Sequence, residues 1–144
     1  MIITKATLND LLQAAGNLAQ ADLDEFHSHK AGRDPRDFLP AYLDETTRSI
    51  KVGSLVLAVG GSKDCLWFVT TTIVDQLTKG ERMRFYRLLK GHLKGLRKEG
   101  HQALTNFVSV NNKPHIRLLE SLGATFAEGI TMSPAGFAFR QFWL

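Results

Sequence analysis

The chain has little cysteine: Cys65 is the one thiol in 144 residues. A single thiol allows no intrachain disulfide and no cysteine cluster for zinc. Beside an apolar run, it reads as a small core residue. Long hydrophobic runs are also missing, and none approaches the roughly 20 residues that carry a helix across a bilayer. The N-terminal MIITKATLND lacks the apolar core of a secretory signal, so the cytoplasm is the default compartment. There are no internal repeats, low-complexity segments or linkers. The expected organisation is one domain over residues 1–144, long enough for a single core. His27 and His29 in FHSHK have no convincing third partner, whereas zinc sites use three or four protein ligands.

Charge is present but uneven. Residues 1–50 hold five Lys/Arg against eight Asp/Glu, and residues 51–144 hold thirteen against six. The first stretch is therefore at −3 and the second at +7. Such an excess can meet phosphate, nucleic acid or an acidic protein.

Periodicity gives the elements. Ile2 and Ile3 open a first strand. Apolar residues at 8, 11, 12, 15, 18 and 19 predict one helix from Leu8, with Thr7 and Asp10 as an N-cap pair. The acidic stretch that follows should leave this helix and enter a loop at Gly32. Asp34 as N-cap and Pro35 at the first helical position predict a short second helix, with Phe38, Leu39, Tyr42 and Leu43 as its apolar face. SIKV and LVLAVGG around Gly53-Ser54 read as an antiparallel hairpin. DCLWFVTTTIV reads as a long central strand. ALTNFVSV is another, and the helix between them predicts a right-handed crossover joining parallel strands. Asn112, Pro114 and Gly123 frame a further helix. The tail predicts a hairpin about Ser133–Gly136.

The basic excess gathers on the helix near 79–99. Phe85, Leu88, Leu89, His92, Leu93 and Leu96 share one face at helical spacing, with His92 expected buried and satisfied. Arg84, Arg87, Lys90, Lys94, Arg97 and Lys98 lie on the rest and are the candidate partner-binding surface. At the helix start, the amides of Gly80 to Arg82 with Lys79 could hold a phosphate. Thr78-Lys79-Gly80-Glu81 is also a T-x-x-E capping box, which would use those donors and set a carboxylate there. His115 could serve as a base but reads first as a surface helix residue. Asn112 reads first as an N-cap.

The segment VSVNNKPHIRLLESLGATF and the order of elements resemble the GNAT (N-acetyltransferase) fold. That resemblance implies an α/β (α+β) class: a mixed central sheet flanked by about four helices. It also implies acetyl-CoA or CoA as cofactor if the chain is active. Val69, Thr70 and Thr71 would then hold the pantetheine arm, Lys79, Gly80, Glu81 and Arg82 the pyrophosphate, and Asn112 would contact the cofactor. The pattern departs from active members at three places. QLTKGERMRF keeps only Gly80 of the phosphate-loop glycines, and Arg82 takes the second glycine position. Leu119 stands where many members carry a tyrosine acid. Thr70, Thr71 and Thr72 stand where a carboxylate base is often found. No catalytic residue is assigned.

CLWFVTTTIVDQLTKGERMRFYRLL and NFVSVNNKPHIRLLESLGATF together resemble the internal virion protein A family of short-tailed podoviruses. This resemblance implies a phage protein of particle assembly, in the host cytoplasm and then in the virion, with other virion or assembly proteins as partners. The leading expectation is such a protein on a GNAT-like scaffold with degenerate acetyl-CoA chemistry. The alternatives are an active acyl-CoA N-acyltransferase and a non-specific DNA-binding accessory protein acting through the basic helix.

Overall fold

The computed structural model describes residues 1–100 and 104–144. Strands β1 (Ile2–Lys5), β2 (Arg48–Val52), β3 (Leu55–Gly61) and β4 (Trp67–Thr70) form one antiparallel sheet in that order. In the second sheet, β5 (Thr105–Ser109) pairs with β8 (Ala138–Trp143), and β8 also pairs with β6 (Thr125–Phe126) and β7 (Thr131–Met132). Helices α1 (Leu8–Ala15), α2 (Gln20–His29), α3 (Pro35–Phe38), α4 (Lys79–Lys98) and α5 (Lys113–Ser121) complete the described elements.

Strand β3 is the spine of the first sheet. Its LVLAVGG run is almost wholly buried, because helices cover both of its faces. Val56 and Val59 pack with Leu11, Ala14, Ala15 and Leu39 on one side. Leu57 and Ala58 join α4 and the second sheet through Phe85, Leu89, Leu93, Leu119 and Phe142 on the other. A register shift at Ile50/Lys51 lets the adjacent Leu57 and Ala58 serve one face of β3, and Val56 and Val59, three residues apart, the other. Gly53, at φ +59°, makes the tight turn between Val52 and Leu55. Gly60 is required by close approach: a Cβ there would lie 2.5 Å from the Trp67 carbonyl oxygen.

Several elements differ from the sequence reading. The first helix is two, α1 and α2, because the chain stops at Gly16 and residues 17–19 pair with residues 70–72. Leu8 and Leu12 point outward rather than into the core. The acidic stretch continues in α2 as far as His29, and the chain then turns through Gly32 as expected. The long central strand ends at Thr70, and Thr72–Gln76 is a 3₁₀ turn. The Thr72 amide donates to the Asn17 carbonyl at 3.0 Å, and the Val74 amide turns back to the Thr71 carbonyl, which takes the chain out of strand geometry. Of the expected α3 face only Leu39 is buried; Phe38, Tyr42 and Leu43 are exposed, because a 3₁₀ turn at Leu39–Tyr42 replaces the continued helix. Cys65 is half-buried rather than in the core. The hairpins, the α4 and α5 boundaries and strand β5 stand as expected, except that the first residue of the expected strand, Ala103, lies outside the described residues.

Candidate functional site

No parallel ladder joins β4 to β5 among the described residues. Among the described residues, hydrogen bonds join these two parts of the chain at one end. There the Leu66 amide donates to the Thr105 carbonyl at 3.1 Å, and Asn106 Nδ2 donates to the Leu66 carbonyl at 2.9 Å. The splay beyond this contact is the candidate site, and helix α2 occupies it.

Two carboxylates from α2 bind the strand edges. Asp22 accepts from the Thr70 amide at 2.8 Å and from the Thr70 hydroxyl at 2.9 Å. Glu25 accepts from the Ser109 amide at 2.6 Å. The Thr70 carbonyl is taken by the Ala19 amide at 2.9 Å. Asn112 bridges to the same group: its Nδ2 donates to Asp22 at 3.0 Å, while its Oδ1 caps α5 by accepting from the His115 amide at 3.2 Å. His115 Nδ1 lies 3.5 Å from Asp22. The imidazole stacks on Phe68 with ring centroids 4.6 Å apart.

This cluster is buried. Asp22 is 7% exposed, Asn112 is 2% exposed, and the His115 side chain is 9% exposed. His115 is therefore not a surface residue: Phe68 covers one face of the ring and Asp22 faces its edge. Burial pushes the Asp22 carboxyl up, but the hydrogen bond and charge of His115, with the Thr70 amide and Asn112, outweigh it and hold the group below the ordinary value. Burial pushes His115 down, but the hydrogen bond and charge of Asp22, with the charge of Glu25, outweigh it and hold the imidazole above its ordinary value. Burial of Glu25 wins against His115 and the Ser109 amide, and its carboxyl is raised. No buried side-chain polar atom among the described residues lacks a partner. An aspartate-oriented imidazole is half of a general-base device. Here the Nδ1 edge of the imidazole is turned to Asp22 inside the protein, and the cluster ties α2 to both sheets.

The residues assigned to a cofactor separate into three groups. Thr70 and Asn112 come together on Asp22. Val69 and Thr71 belong to the packing of the first sheet: Val69 packs against the α1 cluster, and the buried Thr71 hydroxyl donates to the Val56 carbonyl at 2.7 Å. Lys79, Gly80, Glu81 and Arg82 start α4, and no hydrogen bond or ion pair joins them to the Asp22 cluster among the described residues. The capping box is formed: Thr78 accepts from the Glu81 amide at 3.2 Å, and Glu81 accepts from the Thr78 amide at 2.9 Å. Arg82 Nη2 donates to the Asp75 carbonyl at 3.1 Å. Lys79 and Gly80 stay exposed, with open space where a Gly80 Cβ would project. Leu119, at the position of the expected acid, is fully buried.

The basic face is open. Arg84, Arg87, Lys90, Lys94, Arg97 and Lys98 are all exposed. None of them sits in an ion pair among the described residues. Tyr86 holds the helix in place by donating to the Ser121 carbonyl at 2.7 Å. His92 is half-buried, and burial lowers its pKa.

Two strand-turn sheets splayed around one cleft and flanked by helices define the GNAT acetyltransferase fold. The structure superimposes on a GNAT-family acetyltransferase from Bacillus anthracis with a TM-score of 0.67 at 14% identity, covering 98% of this chain and 91% of that one. The ribosomal-protein-S18-alanine N-acetyltransferase of Escherichia coli gives 0.64 at 18% identity, covering 99% and 90%. A putative acetyltransferase from Salmonella typhimurium, solved with its cofactor acetyl-CoA, gives 0.58 at 14% identity, covering 99% and 91%. At such identities the likeness carries the fold alone.

The sequence places the chain more closely. It belongs to the family described as Bacteriophage T7, probable scaffold protein Gp13, which matches residues 46–131. The probable scaffold protein gp13 of Escherichia phage T7 is 40% identical over 76 residues, 52% of this chain and 54% of that protein. The matched stretch thus spans about half of the relative's length. That relative is named for scaffolding and not as an internal virion protein A.

Proposed function

We propose that this chain is a phage particle-assembly protein built on an acetyltransferase fold whose acyl-CoA chemistry is lost. One observation carries the reading. The Thr70 amide is bound by Asp22 and the Ser109 amide by Glu25. A cofactor arm entering the splay needs strand-edge donors such as these, and two carboxylates already hold them. Their charge also opposes an anionic ligand. Leu119 and the threonine run supply neither the acid nor the base of the usual chemistry.

The description of the T7 relative as a probable scaffold protein supports work in particle assembly, in the host cytoplasm, with other assembly or virion proteins as partners. Packaging within the virion, as the internal virion protein A resemblance implies, is part of the same proposal. The six exposed cations of α4 supply a docking face for an acidic protein surface. The competing reading, an active acyl-CoA N-acyltransferase, rests on Lys79 and Gly80, which stay exposed at the start of α4.

Calorimetry with acetyl-CoA separates the two. The expected result is no saturable heat. Micromolar binding that disappears in Gly80→Trp would overturn the proposal. That variant should fold, because the space beside Gly80 is open.

A further inference from the structure

A groove lies outside the Asp22 cluster, between α5 and the second sheet, with a volume of about 370 Å³. Its floor is apolar: Val108, Val110, Ile116 and Phe126. Its rim is charged: Lys113, Arg117 and Arg140 against the one carboxylate of Glu120.

Arg140 is out of place for a core-side strand position. It stands across the ladder from Val108, which is 1% exposed, and two residues before Phe142, which is 3% exposed. Side chains at i and i+2 share a face, so Arg140 belongs to the buried side of the sheet. It is nevertheless exposed. Covering it would bury an uncompensated guanidinium, so the arginine keeps the floor beside it open.

Helix α5 supplies the facing wall with a single stripe. Lys113, Ile116, Arg117 and Glu120 fall at i, i+3, i+4 and i+7, which is one helix face. Lys113 and Glu120 lie about 10 Å apart along the axis, so the wall is basic at one end and acidic at the other. None of the four rim charges is in an ion pair among the described residues. The rim is therefore uncommitted and carries a net positive charge over an apolar floor.

We infer that this groove binds a short acidic peptide segment of an assembly partner. An aliphatic side chain of the segment seats on the Val108 and Ile116 floor, and its carboxylates meet Arg117, Arg140 and Lys113. Arginine suits the task because its planar fork binds carboxylate oxygens in pairs. A nucleic-acid strand fits less well. Bases need exposed aromatic faces to stack on, whereas Phe126 is half-buried and Glu120 would oppose a phosphate. The inference does not depend on whether the cleft between the sheets binds acyl-CoA.

The test is an NMR titration of the ¹⁵N-labelled full chain with a blocked peptide of alternating aspartate and leucine. Matched peptides carry asparagine for aspartate or serine for leucine, and a single-stranded oligonucleotide of similar length serves as the nucleic-acid probe. Shifts should concentrate at Val110, Ile116, Arg117 and Phe126. Affinity should fall about tenfold with either altered peptide and with Arg140→Glu or Arg117→Glu, as expected for loss of a close charge pair. Both arginines are exposed, so these variants should fold. Lys5→Glu, which makes the same change in net charge on β1, should leave the affinity unchanged. Shifts centred on α4, equal binding of the serine peptide, equal binding of the oligonucleotide in the groove, or no shifts at millimolar peptide would each overturn the inference. So would concentration-dependent self-association that buries the groove.

Discussion

Replacing Asp22 by alanine removes the carboxylate that joins α2 to the end of β4 and to the start of α5. It accepts from the Thr70 amide at 2.8 Å, the Thr70 hydroxyl at 2.9 Å and Asn112 Nδ2 at 3.0 Å, and faces His115 at 3.5 Å. Each donor left unpaired in the interior costs roughly 1–3 kcal/mol. Breaking a buried ion pair by removing one partner costs about 3–5 kcal/mol. These costs overlap, because the same carboxylate serves every partner and water can enter the space it leaves. Asp22 also lies in the first turn of α2, where a negative charge contributes about 0.3–1 kcal/mol. The expected loss is about 4 kcal/mol, a large share of the roughly 5–15 kcal/mol typical of a folded domain. The melting temperature should fall by about 10 °C or more. Urea unfolding followed by tryptophan fluorescence suits the measurement, because Trp67 lies beside Phe68 on β4. A double-mutant cycle with His115→Ala should show a coupling of about 1–3 kcal/mol. A loss under about 1 kcal/mol for Asp22→Ala would mean that the carboxylate is solvated, and the description of a closed cleft would be wrong.

The pH dependence follows from the same cluster. His115 is raised by Asp22 and Glu25 against the opposing effect of burial, so its contribution is full below about pH 6.5 and is lost as pH rises through the folded value. Glu25, raised by burial, acts in the same direction from a lower starting pH. Asp22 is depressed, so its contribution is present above about pH 4 and is lost on acidification. His29 and His92 are lowered by burial and oppose His115. The comparison with His115→Gln isolates its share: the urea midpoint of the native protein relative to the variant should drop as pH rises above about 6.5, and a constant difference would contradict the pairing. Thr78→Ala removes the α4 cap, in which Thr78 accepts from the Glu81 amide at 3.2 Å, and should cost about 1 kcal/mol in urea unfolding. An unchanged midpoint would show that the capping box is not formed in solution.

Local chemistry was legible in the sequence, and tertiary chemistry was not. The Thr78–Glu81 box, the Asn112 cap and the Gly53-Ser54 turn join residues within three positions of one another, so the spacing states them. The break between α1 and α2 is different. Apolar residues at 15, 18 and 19 keep helical phase through Gly16, and the helix is broken by pairing with residues 70–72, about fifty positions away. The same contact cuts β4 short, although Thr70–Val74 has the composition of a strand. Asp22 and Glu25 carry no signal in the sequence, because an acidic residue on a helix is exposed by default. Their partners at Thr70, Ser109, Asn112 and His115 are 48 to 93 positions along the chain. The one local hint is that α2 has no side-chain cap, so tertiary contacts hold its start. The basic face of α4 was fully legible, since a charge stripe at helical spacing needs only the helix to form.

A buried cluster of two carboxylates and one imidazole is a poor device for stability alone. Desolvating such charges offsets most of what their attraction returns, and apolar side chains of similar size would often do as well. What the cluster supplies is direction. Each carboxylate binds a backbone amide on a different sheet, Thr70 on the first and Ser109 on the second. Hydrogen bonds to fixed amides set the position of α2 within tenths of an ångström, where apolar packing would allow it to slide. The wedge therefore fixes how the two sheets sit against each other. Helix α4 packs against the first sheet through Phe85, Leu89 and Leu93, and α5 joins the same core through Leu119. Fixing the sheets thus fixes the basic face and the groove of Arg140 in one frame. In an acetyltransferase the splay must admit a cofactor and release it. Under the proposed assembly role the same space holds the two proposed docking surfaces at a constant angle, through a helix that carries its own carboxylates into the cleft.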